Sequence, residues 1–312
     1  MNIRHFSSFV CASFLLFGCD GGGGGGTDAA VEDAGPTLEP SELFGPCEED
    51  SQCPGEGAIC RSASDGYPGG YCTVPCEDRT PCDVFGVYHH CATRAGEDRS
   101  YCEQRCLNGL DCGRPEYTCA GELPPSGGVC IGICSTDDDC GAGTQCDPYT
   151  GLCTTTLVET GATTGQTCAD DDACRSGICV NETSSAGQPT GWAQGYCISQ
   201  CILPVGYNRN SFFAGDALPT GSCPTGNVCW PQSQAATAQQ DLGWCVTECT
   251  SNADCRTGYA CLQDITLSSG ATASYSNGVC FPGNCMTTGC PDGYTCQAVT
   301  DSSGATRNVC GR

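Results

Sequence analysis

Thirty-two cysteines stand between positions 47 and 310, and they fall into eight groups of four. The first four groups are Cys47, Cys53, Cys60 and Cys72; Cys76, Cys82, Cys91 and Cys102; Cys106, Cys112, Cys119 and Cys130; Cys134, Cys140, Cys146 and Cys153. The last four are Cys168, Cys174, Cys179 and Cys197; Cys201, Cys223, Cys229 and Cys245; Cys249, Cys255, Cys261 and Cys280; Cys285, Cys290, Cys296 and Cys310. Each group is even and can close two disulfides without help from a neighbour. That is the arithmetic of an oxidised, exported scaffold.

The residues between the cysteines repeat as well. Five residues separate the first two cysteines in six groups, and three residues join one group to the next at five junctions. A Gly-x-x-Cys pattern precedes the third cysteine at Gly57, Gly143, Gly226, Gly258 and Gly293. Tyr117, Tyr259 and Tyr294 stand two residues before it, and the fourth cysteine always follows an apolar or aromatic residue, such as Tyr71, Tyr196 or Trp244. Such internal regularity defines repeated modules.

A unit of this size cannot fold on apolar burial alone, so its disulfides carry most of the stability. Pairing the first cysteine with the third closes a loop of about a dozen residues, for which chain entropy gives about 3 kcal/mol. Crossed pairing, first with third and second with fourth, is the expected connectivity; the spacing leaves the other two open. Gly-Tyr-Cys and Gly-Trp-Cys alternation suits short strands after glycine turns. The residue before the fourth cysteine is expected to cover the sulfurs. The expected fold is small and disulfide-rich: a tandem array of eight four-cysteine modules with short β-hairpins, many loops and little helix. Three-residue links leave no slack, so the array is expected to be a rod, bent where the Thr/Gly-rich run 154–165 interrupts it.

Composition agrees. The 312 residues include 44 Gly and 18 Pro, only 7% are aromatic, and the formal net charge is −24 with no lysine anywhere. This excludes a single large core and makes nucleic acid an unsuitable partner, since phosphate binding needs a basic surface.

The N-terminus supplies an address. Arg4 and His5 precede an apolar stretch through Phe9, Val10, Phe14, Leu15, Leu16 and Phe17. It is built like a secretory signal and is too short to span a bilayer. It ends Leu16-Phe17-Gly18-Cys19, which resembles the lipobox of bacterial lipoproteins. That resemblance implies cleavage before Cys19 and acylation of Cys19, giving a lipid anchor in the membrane. The alternative is a secreted chain cleaved near Gly18. Asp20 and six glycines, Gly21 to Gly26, follow as a flexible tether. The expected organisation is a signal peptide (1–18), a Gly/Asp-rich tether (19–46), four modules (47–153), a linker (154–167) and four modules with longer insertions (168–312).

Candidate chemistries are few. No Cys-x-x-Cys occurs, so neither zinc knuckles nor a thioredoxin-like centre has its ligands. Without lysine there is no phosphate-loop lysine or Schiff base; Gly-x-Ser-x-Gly is absent too. His89 and His90 read as a surface feature. The chain is not expected to be an enzyme, nor to need a cofactor. Acidic clusters Asp137, Asp138, Asp139 and Asp170, Asp171, Asp172 are weak calcium candidates, with solvated turns as the plainer reading. The insertion 202–222 carries Tyr207, Arg209, Phe212 and Phe213. These either fill a local core or form a presented binding loop.

Lipobox, Gly/Asp tether and Cys-x5-Cys…Gly-x-x-Cys…Gly-x-Cys units together resemble cysteine-rich surface lipoproteins of myxobacterial type. A fainter similarity connects them to epidermal-growth-factor-like and Dickkopf-like disulfide modules, which carry more cysteines per unit. These resemblances imply display on the cell envelope, at the outer-membrane surface or the periplasmic face, and binding or adhesion to an envelope protein, polysaccharide or other surface ligand. The rival readings are a structural or protective coat without a specific ligand, and a protease inhibitor using Arg209. Changing Cys19 to Ser should release the protein from the membrane fraction or block its processing. Undiminished membrane retention of C19S on cell fractionation would overturn the anchor.

Overall fold

The structure is a computed structural model; it describes residues 43–78, 80–83, 89–93, 98–120, 128–204, 207, 217–231, 241–266, 272–300 and 306–312. Strands and loops dominate, with short helices at α1 (Thr80–Asp83) and α2 (Cys285–Thr288). Among the described residues no helix is long and apolar enough to cross a membrane. The signal, Cys19 and most of the tether lie outside these residues.

Sixteen disulfides form, two in each module and none between modules. Every module uses the crossed connectivity, as in Cys47–Cys60 and Cys53–Cys72, with Cα atoms 5.9 and 5.3 Å apart. The hairpin explains the choice. In every module the third and fourth cysteines face one another directly across an antiparallel pair, as Cys60 faces Cys72 and Cys296 faces Cys310. Directly opposed residues project to the same face of a sheet. Both sulfurs therefore point to the side where the first two cysteines arrive.

The eight modules form two lobes of the same design. The first holds β1 (Ile59–Arg61), β2 (Tyr71–Thr73), β3 (Pro75–Cys76), β4 (His89–Ala92), β5 (Ser100–Cys106), β6 (Tyr117–Ala120), β7 (Gly128–Gly132), β8 (Gln145–Asp147) and β9 (Leu152–Thr154). The second holds β10 (Cys179–Val180), β11 (Tyr196–Cys197), β12 (Ser199–Ile202), β13 (Asn227–Pro231), β14 (Leu242–Cys249), β15 (Tyr259–Thr266), β16 (Thr272–Pro282), β17 (Thr295–Thr300) and β18 (Thr306–Gly311). The central sheet of the first runs β3-β5-β7-β6 with β4 also on β5; that of the second runs β12-β14-β16-β15 with β13 on β14. Hairpins β1-β2 and β8-β9 flank the one sheet, β10-β11 and β17-β18 the other. The three-residue links Cys102 to Cys106 and Cys245 to Cys249 lie inside single strands, β5 and β14. A link within a strand fixes two modules as one sheet.

The lobes are not segments of a rod. In each, the outer modules return to touch. Gly69 N–H donates to Asp139 O at 3.1 Å, and Ala63 packs on Cys134 and Cys153. In the second lobe, Gln194 N–H donates to the Tyr294 hydroxyl at 3.1 Å, and Ala193 packs on Cys285 and Cys310. Aromatic burial closes the ring. Tyr71 stacks on Tyr117 with centroids 5.5 Å apart; Tyr196 stacks on Tyr259 at 5.6 Å. These tyrosines make the lobe cores, a larger role than shielding their own sulfurs.

An arginine fastens each stack. Arg114 lies 4.4 Å over Tyr117 and donates to Pro68 O and Gly70 O, both at 2.6 Å. Arg256 lies 4.2 Å over Tyr259 and donates to Ala193 O at 3.2 Å and to Gly195 O. The chain around these carbonyls needs glycine. At Gly70 (φ +76) a Cβ would sit 1.8 Å from Cys47 O, and at Gly195 (φ +64) 2.1 Å from Cys168 O.

The cores differ in polarity. Buried Glu103 in the first lobe, which accepts from the Tyr67 hydroxyl at 3.0 Å, stands three residues before Cys106; Val246 stands three before Cys249. His89 is buried against Phe44, with ring centroids 4.7 Å apart, contrary to the surface reading; neighbouring His90 is half-buried.

The lobes also pack on each other. Ile133 meets Ile202 and Leu242 in one apolar cluster, with Ala120 and Ile131 at its edge. Gly109 N–H donates to Asp241 Oδ1 at 3.1 Å. Arg175 lies 3.5 Å from buried Asp147 and 4.3 Å over Tyr149. The Thr/Gly-rich run is a spacer only in part. Residues 158–160 are exposed, while Ala162 bonds to Ala173 and Arg175, and Gly165 N–H donates to Cys197 O at 2.9 Å.

Burial raises the phenol pKa of Tyr196 and Tyr259 above the ordinary 10.0, against the opposing charge of Arg256. Tyrosines with a raised native pKa contribute stability that is intact below the unfolded value and is lost as pH climbs through the native value. The melting temperature should therefore hold from neutrality to about pH 9 and fall above about pH 10, with tyrosinate absorbance rising together with unfolding. Tyr196 and Tyr259 ionising at the ordinary value in a folded protein would contradict this packing.

Candidate binding cleft between the lobes

The insertion 202–222 is rooted at the seam. Ile202 ends β12, opposite Leu242 of β14. Leu203 N–H donates to Asp241 O at 3.0 Å, so the strand pairing continues one residue further. Ser222 Oγ accepts from Ile202 N–H at 3.3 Å, and Cys229 N–H donates to Pro219 O at 2.7 Å. Asn277 on β16 holds the returning chain: its Oδ1 accepts from Leu218 N–H at 2.7 Å, and its Nδ2 donates to Leu218 O at 3.3 Å and to Glu248 at 2.8 Å. Nothing in the sequence pairs positions 59 residues apart, so Asn277 could be found only by folding the chain.

Tyr207 is half-buried, packs on two core clusters of the second lobe, and donates its N–H to Pro204 O at 3.0 Å. This fits the core-filling reading of that residue. Arg209, Phe212 and Phe213 lie outside the described residues.

The two roots of the insertion face the first lobe across a cleft of about 430 Å³. Pro115, Glu116, Ser135, Thr136 and Asp139 line it from the first lobe. Ile202, Leu203, Pro204, Pro219 and Thr220 line it from the second. The volume lies within the range of small-ligand sites. Glu116 Oε1 accepts from Arg114 Nε at 2.7 Å, so the arginine that fastens the aromatic stack also orients a cleft carboxylate. Asp139 Oδ2 accepts from the N–H groups of Ser135 and Thr136 at 2.6 and 2.9 Å.

The acidic clusters have a structural task that repeats down the chain. The residue three before the second cysteine accepts from the N–H of the third: Asp50 from Cys60 at 2.8 Å, Asp137 from Cys146 at 2.9 Å, Asp171 from Cys179 at 2.8 Å and Asn252 from Cys261 at 2.8 Å. Asp170 accepts from Ala173 N–H at 3.1 Å. Asp138 and Asp172 are exposed. Asp254 is held below the usual carboxylate range, chiefly by the N–H and hydroxyl of Thr250 and then by Ser251. The cysteine clusters with metal-like spacing, such as Cys47, Cys53 and Cys60, are oxidised to disulfides, and a disulfide sulfur is not the thiolate that zinc requires.

A second hollow of about 250 Å³ lies between the insertion of the fifth module and the eighth. Its charged groups are spent on one another. The Tyr294 hydroxyl donates to Glu182, while Arg312 lies 3.8 Å from Glu182 and 4.8 Å over the Tyr294 ring. Burial first, and the bond to Glu182 next, raise the Tyr294 pKa.

No protein family model, curated protein or solved structure matches this chain. The architecture therefore defines the class: a disulfide-rich, low-helix protein of tandem four-cysteine modules.

Replacing Asn277 with Ala removes both contacts to Leu218 and should loosen the insertion by about 1–2 kcal/mol. Limited proteolysis should then cut within 204–218 faster, with the global melting temperature changed little. Unaltered cleavage would show that Asn277 does not restrain the insertion.

Proposed function

We propose that this is a lipid-anchored cell-envelope protein that binds a surface ligand on a disulfide-stabilised scaffold. Cys19 is the anchor, and the tether, expected over 19–46, ends before Leu43 and Phe44, which are buried in the first lobe, where Phe44 N–H donates to Cys72 O at 2.8 Å. The observation that carries the reading is the insertion 202–222, fixed at both roots beside a cleft that two lobes share. A coat without a ligand has no need of an insertion fastened by a residue from another module. Recognition does, because a rigid frame reduces the ordering cost of binding. Disulfide-fixed lobes after a glycine-rich stretch, Gly21 to Gly26, also suit display away from the membrane.

The test is a pull-down from native membranes and culture fluid with the mature, oxidised chain, against a variant in which 208–216 is replaced by Gly-Ser-Gly. Tyr207 and both roots stay in place, so the variant should fold. Loss of a retained partner on replacement is expected. Absence of any partner for the intact chain would overturn the binding reading and favour the coat. Inhibition of a trypsin-like protease, abolished by Arg209→Ala, would instead establish the inhibitor.

A further inference from the structure

We propose that the spacer between the lobes is a proteolytic processing site. An endopeptidase that accepts aliphatic side chains cuts it and leaves the second lobe held by non-covalent contacts alone. The cut goes beyond the binding reading; only the retention of the first lobe rests on the anchor at Cys19.

The argument begins with the disulfide connectivity. Crossed pairing closes each module on itself. A cut between its first and second cysteines leaves the first bonded to the third, and a cut further on leaves the second bonded to the fourth, as with Cys47–Cys60 and Cys53–Cys72. No single cut inside a module therefore divides the chain. Only the links between modules can be severed, because no disulfide spans them.

Burial narrows the choice to one link. Five links have three residues, and Cys280 to Cys285 has four. Residues 103–105 and 246–248 lie inside β5 and β14. Thr73, Ile133, Ile198 and Gly283 are buried in the other four. The remaining link, Cys153 to Cys168, has fourteen residues. In it Thr155, Thr156, Val158, Glu159, Thr160 and Gly161 are exposed. Among the described residues, 157–161 belong to no strand or helix and take part in no hydrogen bond. A protease needs backbone that is reachable and has no bonds to break, and this is the link that offers it.

The side chains select the enzyme. Between 154 and 167 there is no lysine, arginine or aromatic residue, so a trypsin-like or chymotrypsin-like pocket has nothing to hold. Leu157 and Val158 are the large aliphatic residues of the run, and they suit a pocket for aliphatic side chains. Hydrolysis adds water across one peptide bond and gives a carboxylate end on the first lobe and an amine end on the second. The seam then depends on the Ile133, Ile202 and Leu242 cluster, the bond from Gly109 to Asp241 and the Arg175–Asp147 pair. A short linker holds its two ends at about millimolar effective concentration, and cutting it removes that advantage. The second lobe, which carries the insertion 202–222, can then leave while the first stays.

The experiment treats the mature, oxidised chain with pancreatic elastase as the probe and reads the products by non-reducing electrophoresis and intact mass. Two fragments that part without reduction are expected, the second beginning at Val158 or Glu159. Trypsin should not part the lobes. A double variant, Leu157→Ser with Val158→Ser, removes the aliphatic pair, and neither residue belongs to a core cluster, so it should fold. Its lobes should part at least about tenfold more slowly. Fragments that part only after reduction would place the cuts inside modules and overturn the site. In the native cells, the second lobe is expected in the culture fluid and the first in the membrane fraction, with the double variant left whole. Recovery of the undivided native chain alone would overturn the processing. Both lobes in the fluid, divided at the same bonds, would uphold the cut and sink the anchor at Cys19.

Discussion

In each module two disulfides cross beneath a hairpin whose third and fourth cysteines face each other. This pairing is the constraint on which the other features rest. It fixes hairpin register, because slipping one strand by a single residue would turn its sulfur to the opposite face. It also gathers the first half of the module into a tight turn near the hairpin. There Asp50, Asp137, Asp171 and Asn252 close the turn onto the amide of the third cysteine. A carboxylate with a fixed amide partner is thus part of the same local unit as the sulfurs. The acidity of the chain partly follows from repeating that unit.

Disulfides make modules, but they do not arrange them. The arrangement comes from the little apolar surface the chain possesses. Tyr71 with Tyr117, and Tyr196 with Tyr259, bring the first module of each lobe onto the third, and an arginine bridges the stack to backbone carbonyls. The rings bury large areas, and their offset stacking adds about 0.5–1.5 kcal/mol beyond that burial. Once the first module is held by the third, the fourth lies against it. A rod would leave these aromatic faces in water, so a chain poor in large side chains gains more by closing into lobes.

The sequence made the modules, their disulfide framework and the scarcity of helix legible, since cysteine spacing and glycine placement are local signals. It could not reveal the closed lobes. Tyr71 and Tyr117 are 46 positions apart, and each also fits a module-level role beside its own cysteine. Arg114 and Arg256 were silent for a similar reason: their carbonyl partners belong to another module. His89 misled because an adjacent histidine pair in a loop-rich segment gives no sign of which ring meets Phe44. Insertion 202–222 was legible as an exception to the spacing. Asn277 and the cleft residues Glu116 and Asp139 were not, because the seam they serve exists only after both lobes form.

The duplication explains where a site can arise. Two lobes with the same sheet order present similar walls, so a difference between them stands out. The second module of the first lobe carries five residues between its first two cysteines; its counterpart in the second lobe carries the insertion. That insertion leaves the scaffold next to Leu242 and Ile202, the residues that also bury Ile133 of the other lobe. The apolar contact holding the lobes together is therefore continuous with the wall of the cleft. Changes in the insertion can alter recognition without touching a disulfide, whereas changes at Ile133, Ile202 or Leu242 would move one wall relative to the other. Stability and recognition meet at the seam, and sixteen disulfides leave the rest of the molecule free of that conflict.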